Sequence, residues 1–309
     1  GSWRARSIAV CRAARVERTQ SEALMARRTS CLDRRLAALA ARTAAFRTGE
    51  AVIVEDAAAA VEALPSLDDC DNTEALLAYT TPIAPELRGR IAALETRLDE
   101  IDALAVRGQE REQVAALAAV VADAPSLAYP PLLVRALEQQ ALATRDGATS
   151  IEPTLRALVQ AAAEARDDAA VVRAWSLLIE DLAVRQGKLA EAKALEPVAE
   201  AALVRAGSTP PLRYQLQSAL ARRALASDEV ELALARWKDA LAAAGTAAER
   251  ARVAAAIATA LAARDRHVEA LPFAEDAVRA SEEARGGQHP ETAARRRLRD
   301  EIRVSAAAP

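Results

Sequence analysis

Gly187-Lys188-Leu189-Ala190-Glu191-Ala192, Asp228-Glu229-Val230-Glu231-Leu232-Ala233 and Asp265-Arg266-His267-Val268-Glu269-Ala270 are three versions of one pattern, each opening on a turn-forming residue and ending on alanine. Seven residues after that alanine comes another, at Ala199, Ala240 and Ala277. The period from Ala192 to Ala233 is 41 residues, and from there to Ala270 it is 37. Small residues seven apart lie two turns along one helix face and let a neighbouring helix approach closely, while Leu220, Trp237, Ile257 and Leu261 fill the gaps between helices. A single hairpin cannot bury its apolar face alone. Stacked hairpins share a continuous core and curve into a superhelix with a concave inner surface.

Working outward, the chain from Glu86 onward reads as helices of roughly 15–20 residues separated by short breaks. The breaks fall at Gly108, Pro125, Pro130-Pro131, Asp146-Gly147, Gln186-Gly187, Gly207 to Pro211, Ser227-Asp228, Gly245, Asp265 and Gly286-Gly287. Residues 1–84 read differently. From Ser7 to about Arg47 there is no proline or glycine, and Leu32, Leu36 and Leu39 share a helical stripe, which predicts one long helix. Thr48-Gly49 ends it, Val52 to Leu64 is expected to return antiparallel as far as Pro65, and Asp68-Asp69-Cys70-Asp71-Asn72 is a turn-rich loop. The fold expected is all-α: a right-handed solenoid of about five hairpins and a terminal helix over residues 85–309, preceded by an N-terminal helical region over 1–84.

Composition agrees with helices. The chain has 309 residues, 52% of them hydrophobic but only 3% aromatic, so alanine and leucine must supply the packing, and these are strong helix formers. The β-branched and aromatic residues that fit sheets are scarce over most of its length. No run of about 18 apolar residues is present, so none of this sequence is expected to span a membrane. Gly1-Ser2 reads as the remnant of a cleaved tag, which suggests part of a longer protein, and both are set aside from fold reasoning. Net charge is −3, yet the eleven arginines of residues 1–47 face only Glu17, Glu22 and Asp33, leaving that stretch at +8 and the remainder at −11. Such a basic helix meets anionic lipid or nucleic acid, or is simply a solvated face.

The repeated segments resemble tetratricopeptide repeats over roughly Glu86 to Ile302. Ala270-Leu271-Pro272 through Gly286-Gly287-Gln288-His289-Pro290-Glu291-Thr292-Ala293 is similar to the longer variety of kinesin light chains, although the usual glycine in the first helix of each repeat is missing. A second resemblance takes in Trp3, Cys11, Gln20-Ser21-Glu22-Ala23-Leu24, Cys31-Leu32-Asp33-Arg34-Arg35-Leu36, Ala63-Leu64-Pro65 and Cys70, with Ala174-Trp175 and Ala199-Glu200-Ala201-Ala202-Leu203. These look like the region C-terminal to the membrane helix in receptor-like serine/threonine protein kinases of myxobacteria. The resemblance implies a kinase domain and a membrane helix upstream, with this chain as a sensory or docking part.

Cys11 and Cys31 stand twenty residues apart on one expected helix, about 30 Å, too far to bond while it is continuous. A Cys31–Cys70 disulfide is geometrically allowed, because the returning segment brings the chain near Cys70 to a similar height; three reduced cysteines remain the alternative. Metal and nucleophile readings are weak, since the only histidines, His267 and His289, are remote from the cysteines in sequence. Gly187-Lys188 lacks the flanking residues of a phosphate loop, and no kinase catalytic motif is present. Trp3 reads either as a membrane-boundary residue or as a packing residue, and Trp175 and Trp237 as core.

No catalytic residue, metal or cofactor is therefore expected. The leading expectation is a protein-binding module whose inner groove grips a partner protein or peptide through Asp181, Arg185, Gln215, Ser218, Arg222, Arg252 and Thr259, placed there by helical phase. A homodimer paired through the N-terminal helix and a stand-alone scaffold are the alternatives. Nucleic acid is not an expected partner, given an acidic body without an aromatic stacking platform. The kinase resemblance puts the chain on the extracytoplasmic side of a membrane, whereas five arginines in the first eighteen residues favour the cytoplasmic side.

Overall fold

The computed structural model describes residues 2–47, 57, 61, 64, 66–78, 84–145, 147 and 150–307. Among them there is no strand, and the protein is all-helical. The helices are α1 (Ser2–Arg15), α2 (Glu22–Phe46), α3 (Thr73–Ala78), α4 (Arg88–Val106), α5 (Glu110–Asp123), α6 (Pro130–Thr144), α7 (Glu152–Glu164), α8 (Asp168–Glu180), α9 (Leu189–Arg205), α10 (Pro210–Ala226), α11 (Val230–Ala243), α12 (Ala247–Ala262), α13 (His267–Arg285) and α14 (Pro290–Ala306). The helix expected over 52–64 falls outside the described residues except at Ala57 and Val61, which are helical, and Leu64.

One turn recurs along the chain. Gly108, Arg166, Gly187, Asp228 and Asp265 all have positive φ, between 54° and 69°, and each is followed two residues later by the first residue of a helix. At most of these turns the next amide reaches back five residues, as in Gln109 N to Leu104 O (3.0 Å), Asp167 N to Ala162 O (2.9 Å), Glu229 N to Ala224 O (2.9 Å) and Arg266 N to Leu261 O (3.1 Å). Such left-handed C-caps satisfy carbonyls that the helix end leaves open, and they turn the chain sharply enough for the next helix to pack back.

The chain divides into two compact units. The first comprises residues 1–146 with 160–167, so the helices over 88–144 belong with the N-terminal region. Here the expected single helix over 7–47 is two: α1 ends at Arg15, Arg18 takes φ 53°, and Ser21 Oγ accepts the Leu24 amide at the start of α2 (3.2 Å). Neither glycine nor proline marks the break. The backbone closes on itself there, the Thr19 and Gln20 amides donating to the Ala13 carbonyl (2.8 and 3.3 Å), and side chains add to the cap: Gln20 Nε2 donates to the Val10 carbonyl (2.6 Å) and Thr19 Oγ1 to that of Ala13 (3.2 Å).

α1 folds back on α2, and Val10, Cys31, Leu32 and Cys70 form a small core with Trp3, Met25, Leu67 and Leu76 against it. Trp3 is thus a packing residue, its indole N–H donating to the Leu32 carbonyl (2.7 Å). Cys31 and Cys70 are joined by a disulfide with Cα atoms 5.6 Å apart, and Cys11 is free and exposed. Several of the arginines of residues 1–47 are engaged within the unit. Arg6 pairs with Asp68 (2.5 Å) and Asp71 (2.7 Å), Arg28 with Asp71, and Arg42 with Asp102 (2.9 Å), while Arg27 and Arg35 donate to the carbonyls of Leu76 and Ser66. A second core joins α4, α5 and α6 through Ile91, Leu98, Ile101, Leu117, Leu127 and Leu132.

The second unit comprises residues 147–159 and 168–309. Consecutive helices pack as hairpins, most extensively α10 with α11, α12 with α13, and α13 with α14. Ala192, Ala199, Ala233, Ala240, Ala270 and Ala277 are all fully buried, so each of α9, α11 and α13 presents its alanine pair to a closely packed neighbour. Trp237, Tyr214, Leu234, Ile257 and Leu261 fill the space between these contacts. Ion pairs join positions 36 residues apart: Lys188 to Glu152 (2.9 Å), Lys193 to Glu229 (2.6 Å) and Arg264 to Asp228 (2.6 Å). Arg223 is fully buried between Glu196 of α9 and Glu229 at the start of α11. The 286–292 turn is closed by Thr292, whose hydroxyl donates to the Gly286 carbonyl (3.0 Å) and lies 3.0 Å from Ser281 Oγ.

Candidate functional site: a concave face on α12

In the second unit a concavity of about 470 Å³ opens along α12. Arg252, Ala255, Ala256, Thr259, Ala260 and Ala263 line it, with spacings of three and four that place them on one stripe of the helix and its end. Alanine makes the floor low. Leu225 at the end of α10 and Trp237 of α11 rise beside it, so a flat helix face becomes a hollow.

The two ends differ in charge. Arg264 closes one end but is neutralised, pairing with Asp228 (2.6 Å) and donating to the Ala260 carbonyl (3.3 Å). Arg252 stands at the other end, exposed, with its guanidinium 6.0 Å from the centre of the Tyr214 ring. The carboxylates of this region are already engaged: Glu180 with Arg222 (2.7 Å), Glu283 with Arg250 (2.8 Å), and Glu249 in the capping box of Thr246. Glu291 is shared by Arg285 (3.1 Å) and Arg295 (3.6 Å). Burial holds Arg295 below the usual guanidinium range, against the pull of Glu291, and Arg285 and Arg252 add to the lowering. Burial likewise raises the Tyr214 phenol, and Arg252 opposes that shift.

The residues placed in the groove by helical phase separate into three groups. Arg252 and Thr259 line the concavity. Gln215 is exposed on α10, and Arg222 is half-buried in its ion pair. Asp181 and Ser218 are corrected: they are 1% and 5% exposed, too buried to meet a partner. Asp181 continues the buried face of α8 with Leu178 and Leu182, and a π-turn over Asp181–Arg185 shifts the phase of the residues after it, Arg185 included. The Asp181 carboxylate accepts from Gln186 Nε2 (2.7 Å) and Ser150 Oγ (3.2 Å) and pairs with Arg185 (3.4 Å), so Arg185 is occupied too. For Ser218 the reason is that α10 is buried on most of its circumference.

Phase reasoning passed over the alanine floor because alanine carries no chemical signature. A signal was present in the unbroken run of small residues at helical spacing from Ala255 to Ala263. Among the described residues there is no cluster of three or more metal-ligating side chains, and no helix is long and apolar enough to cross a membrane. No model of a known protein family matches the chain, and no curated protein matches it.

Proposed function

We propose that the chain is a non-catalytic interaction module of tetratricopeptide-like hairpins, and that the concave face of α12 receives a segment of a partner protein. The observation that carries this reading is the hollow itself: an apolar floor of alanines with an exposed guanidinium at its mouth. Rigid helices with a shallow apolar trough suit recognition of an extended or helical segment. A photo-crosslinking amino acid at Thr259 is expected to capture a partner in cells, whereas the same group at the exposed Val268 is not. Equal capture at both positions, or capture at Thr259 that survives Arg252→Glu, would argue against this face.

The resemblance to the region that follows the membrane helix of receptor-like serine/threonine kinases extends the proposal to a sensor on the extracytoplasmic side. The Cys31–Cys70 disulfide supports that side, because such bonds persist in oxidising compartments and are rare in the cytosol.

A further inference from the structure

We propose that the outer face of α1, in the first unit and independent of the α12 groove, is a docking surface for an anionic phospholipid bilayer. One side of α1 is fastened to its unit. Trp3 donates to the Leu32 carbonyl, and Val10 lies in the small core that the Cys31–Cys70 disulfide closes. The opposite side carries Arg4, Ile8, Arg12 and Arg15, whose spacings of four, four and three make one stripe, with Val16 beside it at the helix end. All five are exposed, Ile8 by 51% and Val16 by 71%, so two branched apolar side chains stand in water among guanidiniums.

Charge complementarity and the apolar pair together choose the occupant. Whereas Arg6 is held by Asp68 and Asp71, Arg4 and the left-handed Arg18 (φ 53°) have no ion-pair partner among the described residues. Arg12 meets Glu17 at 3.5 Å and Arg15 meets Glu22 at 3.7 Å, with all four side chains largely in solvent. Ion pairs so long and wet contribute little, and both guanidiniums can turn to a lipid phosphate. A nucleic-acid backbone or an acidic protein surface takes up the arginines but leaves Ile8 and Val16 wet. The boundary between headgroups and acyl chains accepts both: aliphatic side chains enter it, and arginine stems follow them with their heads at the phosphates. Trp3 faces the core, so it is no platform for stacking bases. At 14 residues α1 is about 21 Å long and lies along the surface rather than across it.

Cys11, exposed and three residues from Ile8, takes an environment-sensitive fluorophore for the test. The labelled protein is titrated at low ionic strength with vesicles of phosphatidylcholine alone or mixed with phosphatidylglycerol, and co-sedimentation repeats the titration without label. Binding is expected with the mixed vesicles only, and is lost in high salt. Arg4→Gln and Arg12→Gln should each weaken it about fivefold, the worth of one arginine at an anionic surface. Ile8→Asn should weaken it by a similar factor, about fivefold, through lost apolar burial. Arg303→Gln, an exposed arginine of the second unit, should leave it unchanged. Circular dichroism melts confirm that each variant is folded. Equal binding to phosphatidylcholine alone, equal loss in Arg303→Gln and Arg4→Gln, or no binding to mixed vesicles overturns the proposal. So does tighter binding of a labelled oligonucleotide that is indifferent to Ile8→Asn, which assigns the face to nucleic acid.

Discussion

Replacing Arg223 by methionine tests how the hairpins of the second unit are fastened together. The Arg223 side chain is 1% exposed and ion-pairs with Glu196, itself 13% exposed, on the preceding helix α9. Methionine restores much of the volume, so the effect is electrostatic: the carboxylate of Glu196 loses its partner while staying mostly out of water. Breaking a buried pair from one side costs about 3–5 kcal/mol. The lower end, about 3 kcal/mol, applies because some solvent still reaches Glu196. Glu229 is left out of this figure, since it stands nearer solvent and keeps Lys193 at 2.6 Å. With a urea slope of about 2 kcal/mol/M, the unfolding midpoint should fall by about 1.5 M, followed by far-ultraviolet circular dichroism and by tryptophan fluorescence. Adding Glu196→Gln removes the stranded charge and should recover about half of the loss. A single variant within about 0.5 kcal/mol of the parent, or a double variant no better than the single, would refute the reasoning.

Two further expectations concern the disulfide and a surface carboxylate. The Cys31–Cys70 bond closes a span of 39 residues and should contribute about 2–4 kcal/mol to the N-terminal region. Hydrogen exchange after reduction should rise in α1 and around Cys70 but not in α10–α13, and a maleimide should label only Cys11 before reduction and all three cysteines after it. Glu152 is held down to about 2 by Lys188 first, then by Arg156 and Gln186. A depressed carboxylate stabilises the fold above its ordinary value of 4.5, and that contribution disappears as the pH falls toward about 2. Carboxyl NMR should find the Glu152 midpoint near 2, moving upward in Lys188→Met; an unmoved midpoint would discount the Lys188 contact.

How much of this was legible in the sequence depends on the physics involved. The alanines seven apart announce helices that approach closely, and Gly187, Asp228 and Asp265 announce the turns between them, because both signals are local and steric. The break after Arg15 is invisible to a search for glycine and proline, since a left-handed arginine, Arg18, makes the turn and Gln20 and Thr19 cap it. Arg222 and Arg223 are neighbours of identical chemistry, yet one is half-buried beside Glu180 and the other fully enclosed by Glu196 and Glu229. Composition cannot separate them; only the partner helices do. Likewise the +8 of residues 1–47 suggests an outward field, whereas Arg6, Arg28 and Arg42 direct their charge to Asp68, Asp71 and Asp102. Asp181 eluded phase counting because its carboxylate is satisfied inside the fold by Ser150 and Gln186, partners that a single helix's phase does not reveal.

In the second unit, the principal packing partners of each helix are its immediate sequence neighbours or the next but one. Sections of the chain leaving a ribosome could therefore seat themselves in order, each new hairpin finding its docking surface already assembled. Such an arrangement keeps loop closures short and makes assembly fast. Pulled from its C-terminal end, the same unit would be expected to come apart in instalments rather than in one rupture.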